Sequence, residues 1–118
     1  MRSLHRTVSF KNFSFSVWDN VYAPAEDSAL FAENLNVEKG AAVLDVGTGC
    51  GILAILAAEK AASVVAIDVN PYAIRCAKQN SKLNNTQNKM YFVQGDLFSP
   101  LKVGIDFDMI LFNAPIFL

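Results

Sequence analysis

The hydrophobic and polar positions fall into two regimes. Residues 7–17 alternate, with Thr7-Val8-Ser9-Phe10 followed by Phe13-Ser14-Phe15-Ser16-Val17. That period of two predicts a β-hairpin with Val8 and Phe10 on one face and a tight turn at Phe10, Lys11 and Asn12. Trp18 to Pro24 reads as a connector. Pro24-Ala25-Glu26-Asp27 opens a predicted helix that runs to about Leu35 and stops before Gly40. From residue 42 the pattern changes to short, wholly apolar strands alternating with helices. Ala42–Val46 is a strand, Ile52–Lys60 a helix, and Ser63–Ile67 a second strand ending at Asp68. Asn70-Pro71 opens a helix to about Asn84. Lys89–Gln94 is a third strand ending in Gly95-Asp96, and Phe107–Phe112 a fourth ending in Asn113-Ala114-Pro115-Ile116. Apolar strands separated by helices predict an α/β protein with a parallel sheet covered on both faces.

Composition narrows the class. The chain has 118 residues, 53% hydrophobic and 18% charged, with a net charge of −1. This suits one globular domain with a substantial core, and neither a disordered tail nor a dedicated polyanion binder. No run approaches the roughly 18 apolar residues of a membrane span, and no secretory signal is visible at Met1-Arg2-Ser3-Leu4-His5-Arg6. Cys50 and Cys76 form no CxxC pair and read as reduced thiols, which predicts a cytoplasmic protein without a structural metal. The one histidine, His5, lies near the start. Chemistry built on a Ser-His-Asp triad or a histidine-bound metal is therefore disfavoured.

The candidate chemistry sits at the strand ends. Asp45-Val46-Gly47-Thr48-Gly49-Cys50-Gly51 joins the first apolar strand to its helix, where a ligand approaches the backbone in a doubly wound sheet. A dinucleotide loop, G-x-G-x-x-G, would place its third glycine at position 52. That residue is Ile52, and the glycine comes one earlier, at Gly51. The G-x-G-x-G spacing resembles the first motif of class I methyltransferases. Asp68, about 20 residues on, is placed to accept from two ribose hydroxyls; a helix N-cap ahead of Asn70-Pro71 is the structural alternative. Asp96 can accept from an adenine amine while the Leu97 N–H donates to the ring, or it is simply a turn aspartate after Gly95. Asn113-Ala114-Pro115 completes four strand ends that carry polar or glycine residues.

The segment Val21-Tyr22-Ala23-Pro24-Ala25-Glu26-Asp27-Ser28 resembles the VYxPAEDS signature of the HemK-related glutamine methyltransferases, in particular their archaeal and eukaryotic branch. The glycine loop, Asp68-Val69-Asn70-Pro71 and the Asn113 tetrapeptide follow in that family's order. The resemblance implies a Rossmann-like, S-adenosylmethionine-dependent methyltransferase of the side-chain amide of glutamine in the Gly-Gly-Gln loop of peptide-chain release factors. It also implies a small zinc-binding activator subunit as a partner. Ser28 and Asp45 would lie by the methionine part of the cofactor. Gly47, Gly49 and Gly51 would admit it. Asp68, with Val69 beside it, would hold the ribose, and Asp96 and Leu97 the adenine. Asn113, Ala114 and Pro115 would bind the planar acceptor, with Asn113 also facing the cofactor. The family's N-P-P-[YFW] motif is altered twice, to Ala114 and Ile116. Ala114 keeps the carbonyl acceptor but not proline's fixed φ, and Ile116 cannot stack on a flat group as an aromatic does.

Residues 1–24 are thus expected to form a hairpin and connector, and residues 25–118 a cofactor-binding domain that ends after strand four. The family fold, as the resemblance implies, continues with three more strands. An apolar fourth strand left at the sheet edge predicts self-association there, unless the N-terminal hairpin covers it. Two readings compete with glutamine methylation: a nucleic-acid amine methyltransferase, and a cofactor-binding fragment inactive by itself.

Overall fold

The computed structural model describes residues 5–21, 35–96 and 106–112. Two strands, β1 (His5–Phe10) and β2 (Phe13–Trp18), pair antiparallel around the two-residue turn Lys11-Asn12, in register from Phe10↔Phe13 to His5↔Trp18. Lys11 has φ 53°, the left-handed conformation that such a tight turn takes at its first central residue. Val8 and Phe10 both pack on the core, as the alternation predicts, and Phe15 and Val17 are buried beside them. The helix expected from Pro24 to Leu35 falls almost wholly outside the described residues.

The remaining strands form one parallel sheet: β3 (Ala42–Val46), β4 (Ser63–Asp68), β5 (Met90–Gln94) and β6 (Met109–Phe112). Their order is β5-β4-β3-β6. The chain therefore leaves β3 in one direction through β4 and β5, then returns to the other side of β3 at β6. The reversal at β3 is the topological switch point, and in such sheets the crevice beyond the strand ends there is the usual ligand position.

Among the described residues, two α-helices lie between the strands. Helix α1 (Ile52–Ala58) is apolar on almost every side, and six of its seven residues are buried. Helix α2 (Pro71–Leu83) is amphipathic. Ala73, Ile74, Cys76, Ala77, Asn80 and Ser81 form its buried stripe, with Asn70 as N-cap and Pro71 as first residue. Val43, Val64 and Ala66 face these helices in the main core, while Leu44, Val46 and Ile67 form a second buried cluster with Val65, Val93 and Phe107.

Two strands begin later than the sequence pattern suggests. Gln87–Lys89 forms a 3-10 turn ahead of β5. At β6, Asp108 bonds twice to Ala42: its N–H donates to the Ala42 carbonyl at 2.8 Å, and its Oδ2 accepts the Ala42 N–H at 2.8 Å. Asp108 thereby closes the start of the ladder with a carboxylate. Within the described residues β6 is an edge of the sheet, with Ile110 and Phe112 exposed.

The hairpin packs mainly on α2. Ser14 and Ser16 point their backbone groups away from β1, and two asparagines of the helix meet them. The Ser14 N–H donates to Asn84 Oδ1 at 3.1 Å, and Asn84 Nδ2 donates to the Ser14 carbonyl at 2.8 Å. Ser16 and Asn80 repeat the pattern at 2.7 and 2.9 Å. The spacing works because two strand residues rise about 6.6 Å and four helical residues about 6 Å. Trp18 Nε1 donates to Gln79, and Asn70 Nδ2 to the Asn20 carbonyl, extending the seam to the start of α2.

Candidate functional site

Three of the strand-end segments meet at Asp68. Its Oδ2 accepts the Gly49 N–H at 2.9 Å and its Oδ1 accepts the Asn70 N–H at 2.9 Å. Its backbone carbonyl accepts the Gly95 N–H at 3.0 Å. One residue thus ties the glycine-rich turn, the entry to α2 and the end of β5. The helix N-cap is Asn70, whose Oδ1 accepts the Tyr72 N–H, so the capping alternative for Asp68 reduces to a bond one step upstream. A carboxylate offers about four acceptor positions. Two are used by backbone N–H groups, and the other two suit a vicinal diol approaching the partly exposed side chain.

The turn is cross-tied to β4. Gly47 and Thr48 both donate their N–H to the Ile67 carbonyl, at 2.9 and 3.0 Å, and the Gly51 N–H donates to the Thr48 carbonyl at 2.8 Å. Gly47 and Gly49 are half-buried with φ of 75° and 58°, so the backbone itself faces the crevice. Gly51 has a different reason for being glycine. At φ +87° a Cβ there would lie 3.0 Å from the Ala77 Cβ and 3.2 Å from its Cα. Its missing side chain admits helix α2.

Asp45 lies beneath the turn and is fully buried. Thr48 Oγ1 donates to its Oδ2 at 2.8 Å, while Oδ1 has no hydrogen-bond partner. Burial pushes its pKa from 3.8 up to about 7. The Thr48 hydroxyl opposes that rise, the Asp68 charge adds to it, and the nearby Ala54 N–H opposes it least. An orphaned buried oxygen of this kind suits a cationic group brought into the crevice.

Val69 is 60% exposed directly after Asp68 and offers an apolar surface at the crevice. Asp96 is exposed and follows Gly95, which the Asp68 carbonyl holds. Ser28, Leu97, Asn113, Ala114 and Pro115 lie outside the described residues. The two cysteines are free and buried, and desolvation raises both thiols, Cys50 to about 12; Cys76 Sγ donates to the Ser16 carbonyl at 3.2 Å. The sequence pattern did not single out Thr48 or Asn80 as parts of this site. The available signal for Asn80 was its position, four residues from Asn84 and on the stripe of Ala73, Cys76 and Ala77.

A parallel sheet reversing at β3, with a glycine turn and an acid at adjoining strand ends, defines a Rossmann-like fold of the methyltransferase type. The chain belongs to the methyltransferase small domain family, whose model matches residues 15–117. A candidate protein N5-glutamine methyltransferase of Methanocaldococcus jannaschii is 41% identical over 109 residues, covering 92% of this chain and 53% of that protein. A release factor glutamine methyltransferase of Fusobacterium nucleatum is 30% identical, covering 90% of this chain and 31% of the relative. The chain therefore spans about half the first relative's length and under a third of the second's. Among solved structures, Methanocaldococcus jannaschii Trm5 in complex with adenosine superposes with a TM-score of 0.75 at 25% identity, over 84% of this chain and 31% of that one. Among the described residues, no helix is long and apolar enough to cross a membrane.

Proposed function

We propose that this chain is the S-adenosylmethionine-binding part of a cytoplasmic N-methyltransferase whose acceptor is the side-chain amide of a glutamine in a peptide-chain release factor. The observation that carries the cofactor assignment is the Asp68 carboxylate, bonded to Gly49 and Asn70 with acceptor capacity left for a ribose diol. The names of the Methanocaldococcus and Fusobacterium relatives support the acceptor assignment. Bound S-adenosylmethionine supplies a methyl group on a sulfonium, whose charge already activates the leaving group.

The residues of the chain bind and orient. Asp68 holds the ribose, with Val69 against it; Gly47 and Gly49 admit the backbone-side edge of the ligand; Gly51 seats the turn on α2. Asp45 draws in the amino-acid end, aided by Ser28. Asp96 and the Leu97 N–H hold the adenine. An amide nitrogen is a poor nucleophile because its lone pair is delocalised. The Asn113 side-chain oxygen and the Ala114 carbonyl, followed by Pro115, accept hydrogen bonds from the two amide N–H groups and return electron density to nitrogen. The methyl passes from sulfur to nitrogen, which gives up one proton to water. A small zinc-binding activator subunit and self-association along β6 are the partners in this reading. Near-alignment of methyl and nitrogen then does the rest.

The test is transfer of labelled methyl from S-adenosylmethionine by the intact chain to a release factor and, in parallel, to transfer RNA. Label on the release-factor glutamine is expected. Label in RNA alone overturns the acceptor assignment, and failure to bind S-adenosylhomocysteine overturns the cofactor assignment.

A further inference from the structure

Asn80 is fully buried, and its side-chain amide reaches both the hairpin and the glycine-rich turn, with one longer contact, to Cys76 Sγ at 3.7 Å, inside its own helix. Its Oδ1 accepts the Ser16 N–H at 2.7 Å. Its Nδ2 donates to the Ser16 carbonyl at 2.9 Å and to the Cys50 carbonyl at 2.8 Å. Cys50 belongs to the glycine-rich turn. The peptide unit from Cys50 to Gly51 is therefore held at both ends: its carbonyl by Asn80, and its N–H by the Thr48 carbonyl at 2.8 Å. An amide group is planar. Once Ser16 has fixed the oxygen and one hydrogen of the Asn80 side chain, the second hydrogen has a single direction left, toward Cys50. Undocking the hairpin frees that amide to rotate, and the buried Cys50 carbonyl then loses the donor that satisfies it.

We propose that Asn80 is a positioning residue that couples docking of the N-terminal hairpin to the shape of the cofactor turn, so that each stabilises the other. This rests on the reading of the crevice as an adenosyl-cofactor site. Asn84 provides the comparison, because it holds Ser14 by the same reciprocal pattern without touching the turn.

Calorimetry with S-adenosylhomocysteine on the wild type, Asn80→Asp and Asn84→Ala tests it. Asn80→Asp keeps the shape and the acceptor for the Ser16 N–H but loses both donors, to the Ser16 and to the Cys50 carbonyl. It is expected to bind about tenfold more weakly, while Asn84→Ala stays within about twofold of wild type. Equal binding by wild type and Asn80→Asp, or an equal loss in both variants, overturns the coupling. Hydrogen exchange on the unaltered protein tests it without relying on a variant that folds. Saturation with S-adenosylhomocysteine is expected to slow the Ser14 and Ser16 amides about tenfold, after correction by β4 amides that exchange through global unfolding. Unchanged exchange at those two amides overturns it. If the wild type binds no S-adenosylhomocysteine, it is the cofactor assignment that fails.

Discussion

The Asp68 carboxylate accepts the Gly49 backbone N–H at 2.9 Å, across 19 residues of sequence. The acid that faces the crevice also shapes the turn beside it, so loss of its charge acts twice. Asp68→Asn must turn its NH2 toward one of two N–H donors, Gly49 or Asn70. We expect S-adenosylhomocysteine affinity to fall by about 1.5–3 kcal/mol, roughly 10- to 150-fold in Kd by calorimetry. Wild-type affinity in the variant would remove Asp68 from the site.

Gly51 and Gly40 share left-handed backbones, at φ +87° and +83°, but only Gly51 faces another residue closely. Gly51→Ala adds overpacking against Ala77 to the backbone penalty and should cost about 2–4 kcal/mol in urea unfolding. Gly40→Ala meets nothing within 4 Å and should cost only about 1–2 kcal/mol. Equal losses at the two positions would show that α2 does not press on the turn.

Asp45 gives stability a pH dependence. Its folded pKa, about 7, lies above its ordinary value of 3.8. The folded state therefore holds the proton more tightly than the unfolded one. The contribution is fully present below pH 4 and is lost as pH rises toward 7. Comparing wild type with Asp45→Asn by urea unfolding from pH 4 to 8, the wild type should lose ground steadily up to about pH 7, then run parallel to the variant. A difference that does not vary with pH would mean that Asp45 titrates normally in the fold.

Asn113 tests the acceptor site separately from the cofactor site. Asn113→Ala should abolish methyl transfer to glutamine and leave S-adenosylhomocysteine binding largely intact, weakened far less than by Asp68→Asn. Restoring the family motif with Ala114→Pro and Ile116→Tyr should raise the rate if those two positions limit it. Transfer at the wild-type rate by Asn113→Ala would show that this side chain does not hold the acceptor.

The strand-end chemistry was legible because it is local. Glycines at 47, 49 and 51 and an acid at 68 have fixed spacing, and apolar runs bounded by them mark strands whatever else the chain does. Asn80 and Asn84 were not legible. A sequence shows two amides on a helix, and such residues usually face water; their partners are backbone atoms 64 and 70 residues away, which carry no side-chain signature. The depth of Asp45 was hidden for a related reason. Its position before the turn was evident, but complete burial depends on how Thr48 and α1 close over it. The late starts of β5 and β6 reflect hydrogen bonds of single residues, Asp108 above all, that periodicity does not register.

The seam between hairpin and helix also bears on the order in which this protein can assemble. A two-stranded ribbon by itself is marginal in water, and here the groups that complete its outer edge belong to residues 80 and 84. On the ribosome, the hairpin emerges more than sixty residues ahead of its partner. Throughout that interval Phe15, buried in the finished molecule, lacks helix α2 beside it. The hairpin is therefore made long before it can be locked, and a synthesis halted before residue 80 leaves it with an apolar face and an open edge.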